Sequence, residues 1–182
     1  MRRYVWALAP VILGALPTHA AGCPAEHAHY RQAGSHGFTA AFVAAGNHGT
    51  AASNLFFVVR SRNGSHWFRF QVANGYGGIS LEAITDPAIS NPDDGPQPLD
   101  TAPGRGPDEK EGRSNAFISY RANLTEIQNP PQAGDNAPPI IVLPDLGARL
   151  WYDTGTSADR LFMSRAAFRL TACTKRTKAR RG

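Results

Sequence analysis

Apolar positions in this chain come in short runs, several of them alternating with polar residues, and each run is bounded by Gly, Pro, Asn or Asp. A period of two over four to eight residues between turn-forming residues predicts half-buried β-strands. Such segments occur at Phe38–Ala45, on both sides of Asn63-Gly64, and at Ile79–Thr85, Ala116–Ala122, Ile140–Leu143, Ala148–Tyr152 and Leu161–Ala172. The last could instead begin with a short helix capped by Ser157. About eight scattered strands do not fit α/β alternation. They predict one mainly β domain, an antiparallel β-sandwich or jelly-roll-like fold with Pro/Gly-rich loops.

The sharpest local signal is Arg62-Asn63-Gly64-Ser65. Asn-Gly between apolar runs favours a type I′ hairpin turn, because both central residues must take positive φ. Pairing outward from this turn sets Val59 opposite Phe68, Phe57 opposite Phe70 and Leu55 opposite Val72, which predicts a core face. The reverse face then carries Phe56, Arg60, Trp67, Arg69 and Gln71. A one-residue slip would exchange the two sets, so the clean partition supports this facing.

A short amino-terminal helix is expected over Pro24–Ala33, with Pro at its first position, Glu26 in the first turn and Gly34 as the stop. Two stretches read as long loops. The 86–115 segment holds six Pro and four Gly among acidic side chains, and 128–139 contains Pro130-Pro131 and Pro138-Pro139. Such segments lack the apolar surface to order themselves as packed elements.

The first twenty residues have the order of an export signal: Arg2 and Arg3, an apolar run over Tyr4–Leu16, and small residues before Ala21. The run is too short to span a bilayer as a helix. This predicts a leader over residues 1–20 and a body over 21–174, exported to the periplasm or secreted. The leader places Cys23 and Cys173 in an oxidising compartment, where two thiols in one chain are expected to form a disulfide joining the ends of the body. A second route is legible in Ala20-Ala21-Gly22-Cys23, which approximates a bacterial lipoprotein box and would anchor the chain by lipid at Cys23.

Charge changes the picture less than the formal +5 suggests. Between Ala21 and Thr174 there are 12 Lys or Arg against 14 Asp or Glu, a net of −2. The surplus sits in the leader and in residues 175–182, a basic tail predicted to be disordered and capable of weak, salt-dependent contact with polyanions.

Catalytic motifs are not apparent: the chain has no Gly-x-Ser-x-Gly elbow, Ser-x-x-Lys or His-Glu-x-x-His. His27, His29, His36, His48 and His66 do not form a metal-ligand pattern, since a helix would turn His27 and His29 apart. The carboxylates at Asp93-Asp94, Asp100 and Asp108-Glu109 miss the EF-hand spacing. No catalytic residue, metal or cofactor is therefore assigned. Asn63-Gly64-Ser65 and Asn123-Leu124-Thr125 match the glycosylation pattern, but the leader is bacterial in character. The surface with most chemistry is the face formed by Trp67, Arg60, Arg69, Phe56 and Gln71, where an aromatic plane and donors could hold a glycan, a peptide or an envelope component. The expectation is a non-catalytic binding module using that face and the 86–115 loop. A secreted hydrolase with a dispersed site is the alternative.

Overall fold

A computed structural model of the protein describes residues 22–35, 37–72, 78–99, 115–152, 161–163 and 166–174. The predicted leader over 1–20, the predicted basic tail, His36, Ser157 and the 100–114 part of the acidic loop lie outside the described residues.

Among the described residues the strands are β1 (Ala28–Gln32), β2 (Thr39–Ala44), β3 (Leu55–Ser61), β4 (Gly64–Val72), β5 (Ile79–Ile84), β6 (Asn115–Ala116), β7 (Ile118–Tyr120), β8 (Glu126–Ile127), β9 (Ile140–Val142) and β10 (Ala167–Cys173). They form one antiparallel sheet in the order β6-β5-β4-β3-β2-β1-β10-β9-β7-β8. The mainly β class is as expected, but the described strands make a single curled sheet instead of two facing ones. One stretch of chain links β5, near one end of this order, to β9, near the other. Asn115 and Ala116 pair with β5, while Ile118–Tyr120 pair with β9, and only Phe117 separates them. The Phe117 N–H donates to the Ile79 carbonyl at 2.9 Å, continuing the β5 contact.

The concave side is filled by aromatic rings. Phe42, Phe57, Phe68, Phe70 and Phe168 are buried there, and Phe117 packs edge-on against Phe70 and Phe57 with centroids 5.0 and 5.6 Å apart. Tyr30 meets Phe42 edge-to-face at 5.6 Å. Burial of this many rings is the dominant favourable term in such a core, and the edge-on geometry suits the ring quadrupoles.

The hairpin pairs Phe57 with Phe68, Val59 with His66 and Ser61 with Gly64, a register two residues from the one read in the sequence. The turn centres on Arg62 and Asn63, with Gly64 already inside β4 at φ 142°. A shift of two preserves the facing of every side chain. Leu55, Phe57, Val59, Phe68 and Phe70 are therefore core residues in either register.

Two elements differ in kind from expectation. The Pro24–Ala33 segment is a 3₁₀ turn at Ala25–His27 followed by strand β1, not a helix. The alternation Ala28, Tyr30, Gln32 inside with His29 and Arg31 outside satisfies the period-two rule, and pairing to both β1 neighbours overrides the helix-start signal at Pro24. Conversely, Leu146–Tyr152, within which Ala148–Tyr152 reads as a strand, is the helix α1, whose Leu146 and Leu150 enter the core. Their spacing of four puts both on one helical face. In the Leu161–Ala172 segment β10 begins only at Ala167, and Phe162 is exposed.

The Pro-rich 128–139 stretch is ordered, contrary to its composition. Ser53 Oγ donates to the Pro131 carbonyl at 2.6 Å, Gln132 Nε2 to the Ala52 carbonyl at 2.8 Å, and the Gly134 N–H to Glu26 Oε2 at 2.8 Å. Backbone bonds from Ala25 to Asp135 and from Ala137 to Cys23 complete the seal. Polar side chains and backbone thus order a stretch that also buries Pro130, Pro131, Ala137 and Pro138. The 86–99 part of the acidic loop is likewise folded back on β5, through Thr85 N–H to the Gln97 carbonyl and Leu99 N–H to the Ala83 carbonyl.

At that same end Cys23 and Cys173 form the expected disulfide, with Cα atoms 5.9 Å apart and 150 residues between them. Its sulfur is committed to Cys173, so lipid attachment at Cys23 is incompatible with this arrangement. Replacing both cysteines by serine is expected to lower the unfolding free energy by up to ~4 to 5 kcal/mol, the chain-entropy value for a loop of this order. A fall in the urea midpoint with the strand signal retained is the predicted result; an unchanged midpoint would show that the seal alone holds the two ends.

Candidate functional site

The convex face of the β3–β4 hairpin is built by the residues that alternate with the core set. Val58 pairs with Trp67 and Phe56 with Arg69, while β5 places Ile84 beside Trp67 and Glu82 beside Arg69. This face is not uniformly open. Phe56 and Val58 are buried, and Phe56, Ile84 and Ala45 form a second, small core against which Trp67 packs. Ala45, in the turn after β2, belongs to this small core, and that turn meets the 86–99 loop where any side chain on Gly95 would collide with the His48 ring.

Phe56 is therefore structural, and the remaining predicted residues divide by environment. The Arg60 guanidinium lies over the Trp67 ring at 6.0 Å from its centroid, and Arg60 is exposed. A cation over an indole face is favourable, and the stacking holds Arg60 upright at the rim of the small core. Trp67 is half-buried, and its Nε1 is enclosed with no hydrogen-bond acceptor among the described residues. Arg69 Nε forms a short ion pair with Glu82 Oε2, and Gln71 Nε2 donates to the same oxygen at 2.9 Å. Burial tends to raise the Glu82 carboxyl, but these bonds and the Arg69 charge outweigh it and hold its pKa below the usual value. Glu82 is the partner that the hairpin alone did not reveal, because its place opposite Arg69 depends on the β4–β5 register. Arg69 and Gln71 are therefore engaged within the sheet. Arg60 is the exposed cation of the set.

On the concave side, His66 follows the parity of Phe68 and Phe70 and opposes Val59. Its Nε2 is buried without a hydrogen-bond partner among the described residues. Desolvation, helped by the Arg149 charge from α1, holds its pKa below the ordinary histidine value. No carboxylate among the described residues bonds this ring. Burial also pushes the Tyr30 hydroxyl far above its usual range.

The other candidates are dispersed. His29 Nε2 bonds Thr174 Oγ1 on the convex side, while His27 sits in the 3₁₀ turn and His48 against Gly95. Among the described residues no three His, Cys, Asp or Glu side chains gather to hold a metal. The 85–97 loop encloses an open cleft of about 490 Å³, lined by Thr85, Ser90, Asn91, Asp94 and Gln97 with the exposed Ile89. Its polar groups largely satisfy one another: Asn91 Nδ2 donates to Asp94 Oδ2 at 2.8 Å, and the Thr85 and Ser90 hydroxyls are 3.0 Å apart.

The lowered pKa of His66 has a stability consequence with a definite sign. The unfolded chain binds a proton at the ordinary value of 6.5 and the folded chain only at lower pH, so stability is full above 6.5 and declines as pH falls below it. His66→Gln is expected to remove this part of the acid sensitivity, seen as a smaller drop in urea midpoint between neutral and mildly acidic pH. Identical drops in the two proteins would contradict the assignment. Comparison with known protein families, characterised proteins and solved structures finds no match for this chain.

Proposed function

We propose that this protein is an exported, non-catalytic binding module whose contact surface is the convex face around Arg60 and Trp67, flanked by the 86–99 loop. The observation that carries this reading is the division of the sheet into a concave side packed with aromatic rings and a convex side where the exposed Arg60 stands over an indole. A filled interior directs recognition to the outside, unlike folds that enclose a ligand. Export is supported by the leader-like sequence together with the disulfide, which persists in oxidising compartments. Among the described residues no helix is long and apolar enough to cross a membrane, which is compatible with a periplasmic or extracellular location.

The test is a binding screen of the mature protein against immobilised neutral glycans, acidic glycans and peptides, repeated with Arg60→Ala and Trp67→Ala. Arg60 is exposed, so its replacement leaves the core intact. Trp67→Ala also removes packing from the small core and is interpreted only after its fold is verified. The reading predicts at least one binder that is lost in Arg60→Ala. Absence of any binder, or a binder indifferent to both substitutions, would contradict it.

A further inference from the structure

The strand register places basic residues from distant parts of the sequence in one line. Arg169 of β10 stands directly opposite Arg31 of β1, Arg31 opposite Thr39 of β2, Thr39 opposite Arg60 of β3, and Arg60 opposite Ser65 of β4. All five are exposed. The inward alternates Phe168, Gln32, Ala40 and Val59 are buried, so the row belongs to the convex side. Neighbouring strands are about 4.8 Å apart, which makes Arg169 to Arg60 a span of roughly 14 Å across the strands.

Like charges directly opposite each other in an antiparallel pair are unfavourable. The sheet has a remedy elsewhere: Arg69 is neutralised by Glu82 on the next strand. Among the described residues no carboxylate pairs with Arg31, Arg60 or Arg169. The 21–174 body carries more acidic than basic residues, so this concentration of positive charge does not follow from composition. A row of unneutralised cations, at a cost to the fold, points to an external anion.

We infer that this row, resting on the binding-module reading above, takes an acidic polysaccharide whose carboxylate-bearing sugars lie across the strands. All three cations are arginines, whose planar fork matches a carboxylate with two parallel hydrogen bonds. The Thr39 and Ser65 hydroxyls stand between and beside them, suited to sugar hydroxyls. The strand spacing is close to the length of one pyranose unit, so successive acidic sugars meet successive strands. A lipid surface fits less well, because the exposed large apolar side chains Ile89, Leu99, Leu124, Trp151 and Phe162 are absent from this row. Single-stranded nucleic acid needs open aromatic faces for its bases, and the indole nearest the row is half-buried with Arg60 over it.

The experiment measures binding of the mature protein to alginate, a neutral glucan, double-stranded DNA and anionic phospholipid vesicles, with Arg31→Gln and Arg31→Glu alongside. Alginate should bind, weaken as salt is raised, and lose about tenfold in affinity in Arg31→Gln, as expected for one charge-assisted bidentate pair. Arg31→Glu should bind more weakly still while melting no lower than the parent, because a carboxylate opposite Arg169 replaces a repulsion with an attraction. That opposite movement of affinity and stability is what a purely structural role for Arg31 would not produce. Undiminished alginate binding by Arg31→Glu would overturn the inference, as would preferential binding of DNA or vesicles. A neutral glycan or peptide bound through Arg60 but indifferent to Arg31 would also overturn it while leaving the binding module standing. No binding to any probe here or in the wider screen would remove both.

Discussion

Phe117 is the residue on which the architecture turns. It sits between two short pairings that tie one stretch of chain to β5 on one side and β9 on the other, and its ring fills the space between Phe57 and Phe70. An open sheet of this size would expose an apolar concave face and two unpaired edges. The chain limits both problems by running the stretch that carries the central ring from β5 to β9, with β8 left as the outer strand. Backbone pairing and aromatic packing therefore support one another here.

From that constraint the rest of the division follows. Among the described residues the concave side is packed with rings, and the proposed contact chemistry lies on the other face. One end of the curled sheet is sealed by the 129–137 segment, Ser53 and the disulfide, and α1 sends two leucines into the core. What remains exposed is the convex face, where the packing of Trp67 against Phe56 and Ile84 sets the position of Arg60. The small outer core thus acts as a support for the exposed cation.

Much of this was legible in the residues, for identifiable reasons. Asn63-Gly64 announced the hairpin, and because strand facing has a period of two, even a register displaced by two residues assigned Phe57 and Phe70 to the core correctly. The disulfide was legible because a leader-like start and two thiols leave few alternatives. What failed was non-local. Pro24 and Glu26 resemble a helix start, yet the segment is claimed as a strand by two neighbours, β2 and β10, that the local sequence does not mention. For the same reason the Arg31–Arg169 juxtaposition was hidden: it requires β1 to be a strand, although the cysteine pairing already implied that the two chain ends run together. The 128–139 stretch misled through composition, since its order comes from side-chain bonds to Ser53, Asn54 and Glu26 that hydropathy does not register. Within the candidate site, the outward facing of Trp67 and Arg60 was readable from the hairpin alone, whereas Phe56 is buried with Ala45 and Ile84, which the hairpin does not contain.

The link from β5 to β9 can be read from amide hydrogen exchange at Phe117, whose N–H bonds the Ile79 carbonyl. If the closing strand is integral to the core, this amide exchanges only through the global unfolding that releases the protected amides of β3 and β4. Exchange of Phe117 by a separate, lower-energy opening while β3 and β4 stay protected would mean that the sheet does not depend on this closure, and would contradict the account.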